Sequence, residues 1–172
     1  MQEENGMKRS FAEQIKSLPK DVWTSERLTI RPIENDDDLW YAVMECTLAT
    51  GQEEYVNPAG FSIGRAYLSP GDHVPCVICK RDGEKIGYIV LHIWLGEGRA
   101  FTWSYYLDRR FQGMGYGKEA ARLAVAILKA ADPQTPVKLS TEADNTRAQR
   151  LYESIGFERS EELDGDDLVF VF

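Results

Sequence analysis

The sequence predicts an α+β fold: a mixed, twisted central sheet of about seven strands, flanked by helices. Short segments with a two-residue apolar alternation are interleaved with segments of helical period. An Asp82-Gly83 pair sits between two long apolar runs as a hairpin turn. From residue 100 onward the order is strand–helix–strand–helix, which implies a partly parallel sheet with covered faces. The 172 residues suit one domain.

Residues 1–22 are polar, with one short helix-like stretch, FAEQIKSL, stopped by Pro19, so residues 1–25 read as a loosely docked N-terminal extension and 26–172 as the domain. RLTIRPI (27–33) alternates and is the first strand. Asn35-Asp36-Asp37 is positioned to cap a helix running through Ala49. A second helix is expected over 58–67, weakened by two glycines. VPCVICKRDGEKIGYIVLHIW forms the hairpin and AFTWSYYLD (100–108) the fourth strand. KEAARLAVAILKAA (118–131) is an amphipathic helix stopped by Asp132-Pro133. VKLST (137–141) is the fifth strand, Thr146 to Ile155 a helix ended by Gly156, and FERSEEL and LVFVF close the chain as antiparallel strands.

Composition narrows the function. A net charge of −8 argues against a nucleic-acid partner, which calls for a basic face, and permits a cationic substrate. No apolar run approaches the roughly 20 residues that span a bilayer. The polar start lacks the apolar core of a signal peptide, so the expected location is the cytoplasm. Cys46, Cys76 and Cys79 are too few for a disulfide framework. Cys76-Val-Ile-Cys79 lies in a strand, where positions three apart face opposite sides, so neither a redox pair nor a metal site is expected.

Asp108-Arg109-Arg110-Phe111-Gln112-Gly113-Met114-Gly115-Tyr116-Gly117-Lys118 follows a strand and opens a helix. Alternating glycines let backbone N–H groups approach a ligand, and the helix N-terminus adds unpaired donors and a positive dipole end, which together make a pyrophosphate cradle. A Walker A loop fails because Glu119 follows Lys118. Gly115-Tyr116-Gly117-Lys118-Glu119-Ala120 fits a dinucleotide fingerprint loosely, with Glu142 as the later acid. Against that reading, Arg109 to Gln112 separate strand from glycines, and only about 30 residues remain after Glu142, too few for a doubly wound sheet.

Gln112-Gly113-Met114-Gly115-Tyr116-Gly117 also fits Q/R-x-x-G-x-G/A, and Asn145, Ala148, Leu151-Tyr152 and Gly156-Phe157 follow in a second motif. With this pair, in this order and separation, the chain resembles the GNAT superfamily of N-acetyltransferases over residues 26–172. The resemblance implies acetyl-CoA as cosubstrate. It implies that the strand end Tyr105-Tyr106-Leu107 splays from its neighbour and pairs with the pantetheine arm. The N–H groups of Gly113, Met114, Gly115, Tyr116, Gly117 and Lys118 then hold the pyrophosphate, behind Gln112, the first residue of the signature. Asn145 caps its helix and reaches the pantetheine. Tyr152, a core aromatic on residue pattern alone, becomes the general acid for the leaving thiolate. Acetyl transfer is then direct attack by a neutral amine, with a backbone N–H near Leu107 for the oxyanion and no acyl-enzyme. The fourth strand carries no acid, so the base is left to Glu54, Glu142 or a water.

The stretch from Gly51 to Ile63, with Gln52, Tyr55-Val56 and Ser62, and the closing Glu161-Glu162-Leu163-Asp164-Gly165 resemble bacterial diamine and spermine/spermidine N-acetyltransferases. That points to a primary amine, a polyamine or diamine, as small-molecule partner, with Glu53, Glu54, Glu161 and Glu162 as sources of an attracting field. A protein N-terminus or an aminoglycoside as acceptor, and a non-catalytic CoA-binding sensor, stand as alternatives. A homodimer is compatible with all of them.

Overall fold

The computed structural model describes residues 9–172, so the first eight residues of the expected extension lie outside the described residues. In chain order the elements are α1 (Phe11–Lys16), a 3-10 turn (Lys20–Trp23), β1 (Leu28–Pro32), α2 (Asp36–Trp40) continued by a π turn (Tyr41–Glu45), α3 (Ala59–Leu68), β2 (His73–Lys80), β3 (Lys85–Ile93), β4 (Phe101–Leu107), a 3-10 turn (Arg109–Phe111), α4 (Tyr116–Ala131), β5 (Lys138–Thr141), α5 (Thr146–Ile155), β6 (Glu158–Asp164) and β7 (Asp167–Val171). The seven strands and their flanking helices form the expected α+β architecture.

Strand pairing is more antiparallel than the element order implied. The order β1-β2-β3-β4 is one antiparallel sheet and β5-β7-β6 another. The two meet in one parallel bridge, Phe101 to Val137, backed by Phe101 N–H donating to Pro136 O at 2.9 Å. Beyond that bridge β4 and β5 share no pairing, so a V opens between them toward Leu107.

Alternation along the strands gives the two faces different partners. On one face Val74, Cys76, Ile78, Ile89, Leu91, Trp103, Leu139 and Phe170 pack against the apolar sides of α1 and α4. On the other, Tyr88, Val90 and Tyr106 pack against Ala42 and Ala59, and Val77 and Cys79 against Tyr41. Cys76 and Cys79 thus face opposite sides, as their spacing in a strand requires.

Two expectations are corrected. The N-terminal segment is not a loose tail from Ser10 onward: a capping box between Ser10 and Glu13 starts α1, and Phe11, Ala12, Ile15 and Trp23 are buried in the main core. The helix expected through Ala49 begins at its Asn35 cap but ends at Glu45, where Cys46 N–H donates to Tyr41 O. The reason is tertiary. The extended backbone after Cys46 lets Leu48 join the second cluster and Thr47 O accept Arg109 N–H at 2.7 Å.

Gly87 of β3 pairs with Leu107 of β4. A Cβ there would lie 2.7 Å from Tyr106 O and 2.8 Å from Leu107 Cδ2. Gly87→Ala is expected to destabilise the fold by about 1–3 kcal/mol through overpacking against backbone. Denaturant unfolding measures it.

Candidate active site

The V between β4 and β5 opens into a cleft of about 550 Å³. The end of β4, the loop into α4, the β5–α5 loop, one face of α5, and the segment between α2 and α3 form its walls. Of the residues singled out from sequence, Tyr105, Tyr106, Leu107, Gln112, Gly113, Gly115, Gly117, Lys118, Asn145 and Tyr152 all line it. Met114 and Tyr116 do not. The Met114 side chain is exposed, and the Tyr116 ring lies under Arg27, 4.7 Å from its guanidinium carbon. Only the backbone of these two can serve the cleft.

The glycine loop has the conformation its sequence implied. Gly113 and Gly115 adopt φ +77° and +82°, the left-handed region that side chains disfavour. Gly115 is the N-cap of α4 and offers no capping side chain, whereas Asn35 caps α2 and Asn145 caps α5. The first amides of the longest helix therefore lack a side-chain acceptor, the condition under which a helix N-terminus takes an anion. Lys118 lies in that turn, and Arg147 and Arg150 line the cleft from α5. These groups fit the pyrophosphate of a coenzyme A.

Side chains from elsewhere fix the loop. Tyr105 Oη donates to Gly117 O at 3.1 Å, joining the end of β4 to the first turn of α4. Gln112 Nε2 donates to Leu107 O at 2.9 Å and to Gln52 Oε1 at 2.8 Å, and Gln52 Nε2 returns a bond to Gln112 Oε1 at 3.1 Å. This amide pair ties the segment between α2 and α3 to the loop. From behind, Arg27 donates to Met114 O at 3.3 Å and pairs with Glu119 at 2.6 Å. Glu119 also accepts from Ser25 Oγ and Arg27 N–H. Burial works against its ionisation, but these bonds hold it below the usual carboxylate range. Asp108 is fully buried, and Arg110 donates to it through its backbone N–H and through Nε and Nη2 of its guanidinium, fixing the turn that enters the loop.

Asn145 Oδ1 accepts Ala148 N–H at 3.2 Å, and two helical turns on, Tyr152 packs on Phe157 and Phe170 with ring centroids 5.9 and 5.8 Å away. Burial pushes the Tyr152 hydroxyl up to about 12. Burial, with Tyr152 nearby, also raises Tyr105. Both are neutral donors at neutral pH. Burial raises all three cysteine thiols, Cys46 to about 12, so none is a ready nucleophile.

The carboxylates fall differently from the sequence expectation. Glu142 lines the cleft and Glu54 does not. Glu53, Glu54, Glu161 and Glu162 do not gather there, and Glu162 is paired with Lys138 at 2.6 Å. Asp167, at the start of β7, lines the cleft instead. Sequence reasoning did not single out Asp167, Arg27 or the Tyr105–Gly117 bond. Their only signal is a contact between distant parts of the chain.

Residues 35–157 match the acetyltransferase (GNAT) family model, and the chain belongs to that family: it is an acetyl-CoA-dependent N-acetyltransferase. No curated protein matches the sequence. Among solved structures, an acetyltransferase from Agrobacterium tumefaciens C58 superposes with a TM-score of 0.67 at 20% identity, covering 91% of this chain and 95% of that one. The aminoglycoside acetyltransferase AAC(6')-Ib in complex with coenzyme A gives 0.64 at 23%, covering 84% and 94%. The spermidine N-acetyltransferase from Vibrio cholerae, in complex with CoA and spermine, gives 0.65 at 16%, covering 86% and 94%. At these identities the likeness is one of fold. No helix among the described residues is long and apolar enough to cross a membrane.

The Arg27 clamp predicts a binding effect at a distance from the ligand. An exposed ion pair is worth up to about 1 kcal/mol, so Arg27→Ala is expected to weaken coenzyme A binding by up to about fivefold by loosening the loop. Isothermal titration measures it.

Proposed function

We propose that this enzyme acetylates a primary amine of a polyamine or diamine by direct transfer in a ternary complex. The observation that carries this reading is the charge layout of the cleft. Its cations, Lys118, Arg147 and Arg150, stand on the two helices, and its carboxylates are Glu142, in the loop that leads into α5, and Asp167, at the start of β7. Asp144 and Glu142 lie close enough to Tyr55 to raise its hydroxyl, with some burial adding to the effect. A cofactor carrying phosphates suits the cations, and an acceptor carrying ammonium groups suits the carboxylates.

In this reading the N–H groups from Gly113 to Lys118 hold the pyrophosphate, and the backbone of Tyr105, Tyr106 and Leu107 pairs with the pantetheine arm. Gln112 keeps the loop against the end of β4. Asn145 adds a side-chain contact from the α5 cap. Bound acetyl-CoA supplies a thioester, which an amine lone pair attacks without an acyl-enzyme. A backbone N–H near Leu107 faces the thioester oxygen. The Tyr152 hydroxyl protonates the departing sulfur, and its raised pKa keeps that proton available at neutral pH. Glu142, or a water it orients, takes the proton the amine must lose. The catalytic unit is residues 26–172, and residues 10–25 of the extension brace β1 and α4.

Tyr152→Phe keeps the packing on Phe157 and Phe170 and removes only the acid. Turnover is expected to fall by about 10²-fold with coenzyme A affinity kept. Because Tyr152 loses its proton only near pH 12, the wild type is expected to show no alkaline loss from this group below about pH 10, the ordinary tyrosine value. Steady-state kinetics against pH measure both.

Purified enzyme with acetyl-CoA, followed by thiol release, tests the acceptor class. Spermidine, spermine or a diamine is expected to turn over, with KM rising as salt is added. An aminoglycoside, also polycationic, meets the same carboxylates. Turnover confined to aminoglycosides or peptides overturns the polyamine acceptor and leaves the transferase.

A further inference from the structure

Alternation in the sheet divides the cleft. Trp103, Tyr105 and Leu107 of β4 point to the face that carries α4 and α5, whereas Ser104 and Tyr106 point to the other. In the second sheet Leu139, Leu168 and Phe170 belong to the α4 and α5 face, so Ser140 and Asp167 point away from it. Ser104, Tyr106, Ser140 and Asp167 all line the cleft, together with Leu48 and Tyr55. They form a chamber on the sheet face opposite α4 and α5.

Asp167 is the acidic group of that chamber contributed by the sheet itself. It is half-buried, and no side chain or backbone group among the described residues donates to its carboxylate. Its neighbours worsen its position. Asp164 sits directly across the β6–β7 hairpin, and Asp166 occupies the turn. Ser140 Oγ donates to Asp164 at 3.1 Å and leaves Asp167 alone. Lys138, two residues before Ser140 on β5, is taken by Glu162. Like charges directly opposite on two strands destabilise the pair. Burial, then Asp164 and Asp166, push the Asp167 carboxyl above the usual carboxylate range. A fold that keeps an unpartnered, half-buried carboxylate against two others gains nothing in stability from it, whereas an arriving cation would relieve all three at once.

We propose that Asp167 is the specificity-determining carboxylate of the acceptor chamber, receiving an ammonium group of the amine substrate. This rests on the amine-acceptor reading above and names the residue that enforces it. Asp164, held by Ser140, reinforces the field without touching the acceptor.

The test compares wild type, Asp167→Asn and Asp166→Asn, using whichever acceptor of the amine panel turns over best. Asp167→Asn is expected to raise the acceptor KM by about tenfold or more, the range of a charge-assisted bond. The acetyl-CoA KM should stay the same, and kcat should change less than the acceptor KM. Its melting temperature is expected to hold or rise, because a like-charge contact has been removed, a result that separates lost recognition from lost folding. Asp166→Asn, in the turn and outside the cleft, removes only a distant part of the field and is expected to move the acceptor KM by less than twofold. An acceptor KM for Asp167→Asn within twofold of wild type overturns the assignment even where the enzyme acetylates polyamines. If an aminoglycoside or peptide proves the better acceptor, the polyamine reading fails, and the same KM comparison on that acceptor still decides Asp167. An uncharged acceptor, or no turnover with any amine, overturns both.

Discussion

The rest of the structure depends on one missing strand pairing. β4 and β5 touch through a single parallel bridge at Phe101 and Val137 and then diverge. A sheet that zipped these strands fully would have no cleft and would satisfy β4 with its own backbone. By stopping after one bridge, the fold leaves the edge of β4 at Tyr105–Leu107 beside an open space of about 550 Å³. An unpaired edge inside a protein is costly unless something hydrogen-bonds to it, and an extended cosubstrate arm is suited to do so. Antiparallel pairing elsewhere keeps the V rigid: β3 holds β4 along its length, and β7 holds β5.

The glycine loop shows how such a gap is kept in working shape. Glycines at positive φ allow the loop its path but do not choose it among alternatives. That choice is made by Tyr105 from β4, Gln112 with Gln52 from the segment before α3, and Arg27 with Glu119 from before β1. Three distant parts of the chain therefore converge on one turn. The helix amides stay without a capping side chain because these groups hold carbonyls and other side chains instead, leaving the N–H donors to the ligand.

Electrostatics then shape the cleft. Lys118, Arg147 and Arg150 line it from α4 and α5, Glu142 from the loop into α5 and Asp167 from the start of β7. Two tyrosines on the helix side, Tyr105 and Tyr152, stay protonated because burial disfavours the phenolate. The cleft thus holds neutral donors alongside charged groups.

Much of the fold and the cofactor side was legible in the sequence because both are written in local signals. Period-two runs placed the strands, Asn35 and Asn145 opened helices, Gly156 closed one, and spaced glycines after a strand marked the anion cradle. The family motifs are contiguous for the same reason: a loop and a helix N-terminus bind phosphate with consecutive amides. The acceptor side was not legible. The acidic runs that stood out, Glu53-Glu54 and Glu161-Glu162, stay outside the cleft, while Asp167, one of several acids near a hairpin turn, lines it. The helix after Asn35 stopped early at an extended Cys46, beyond which Thr47 O accepts a tertiary bond from Arg109 N–H. Residues 10–23 joined the core because α1 found a complementary face on α4 and the sheet. Sequence alone determined which segments form strands and helices and where a glycine loop opens an uncapped helix, since backbone propensity acts over a few residues. Only the tertiary structure decided how far β4 and β5 pair and which carboxylates line the cleft, since both depend on contacts between residues far apart in the chain.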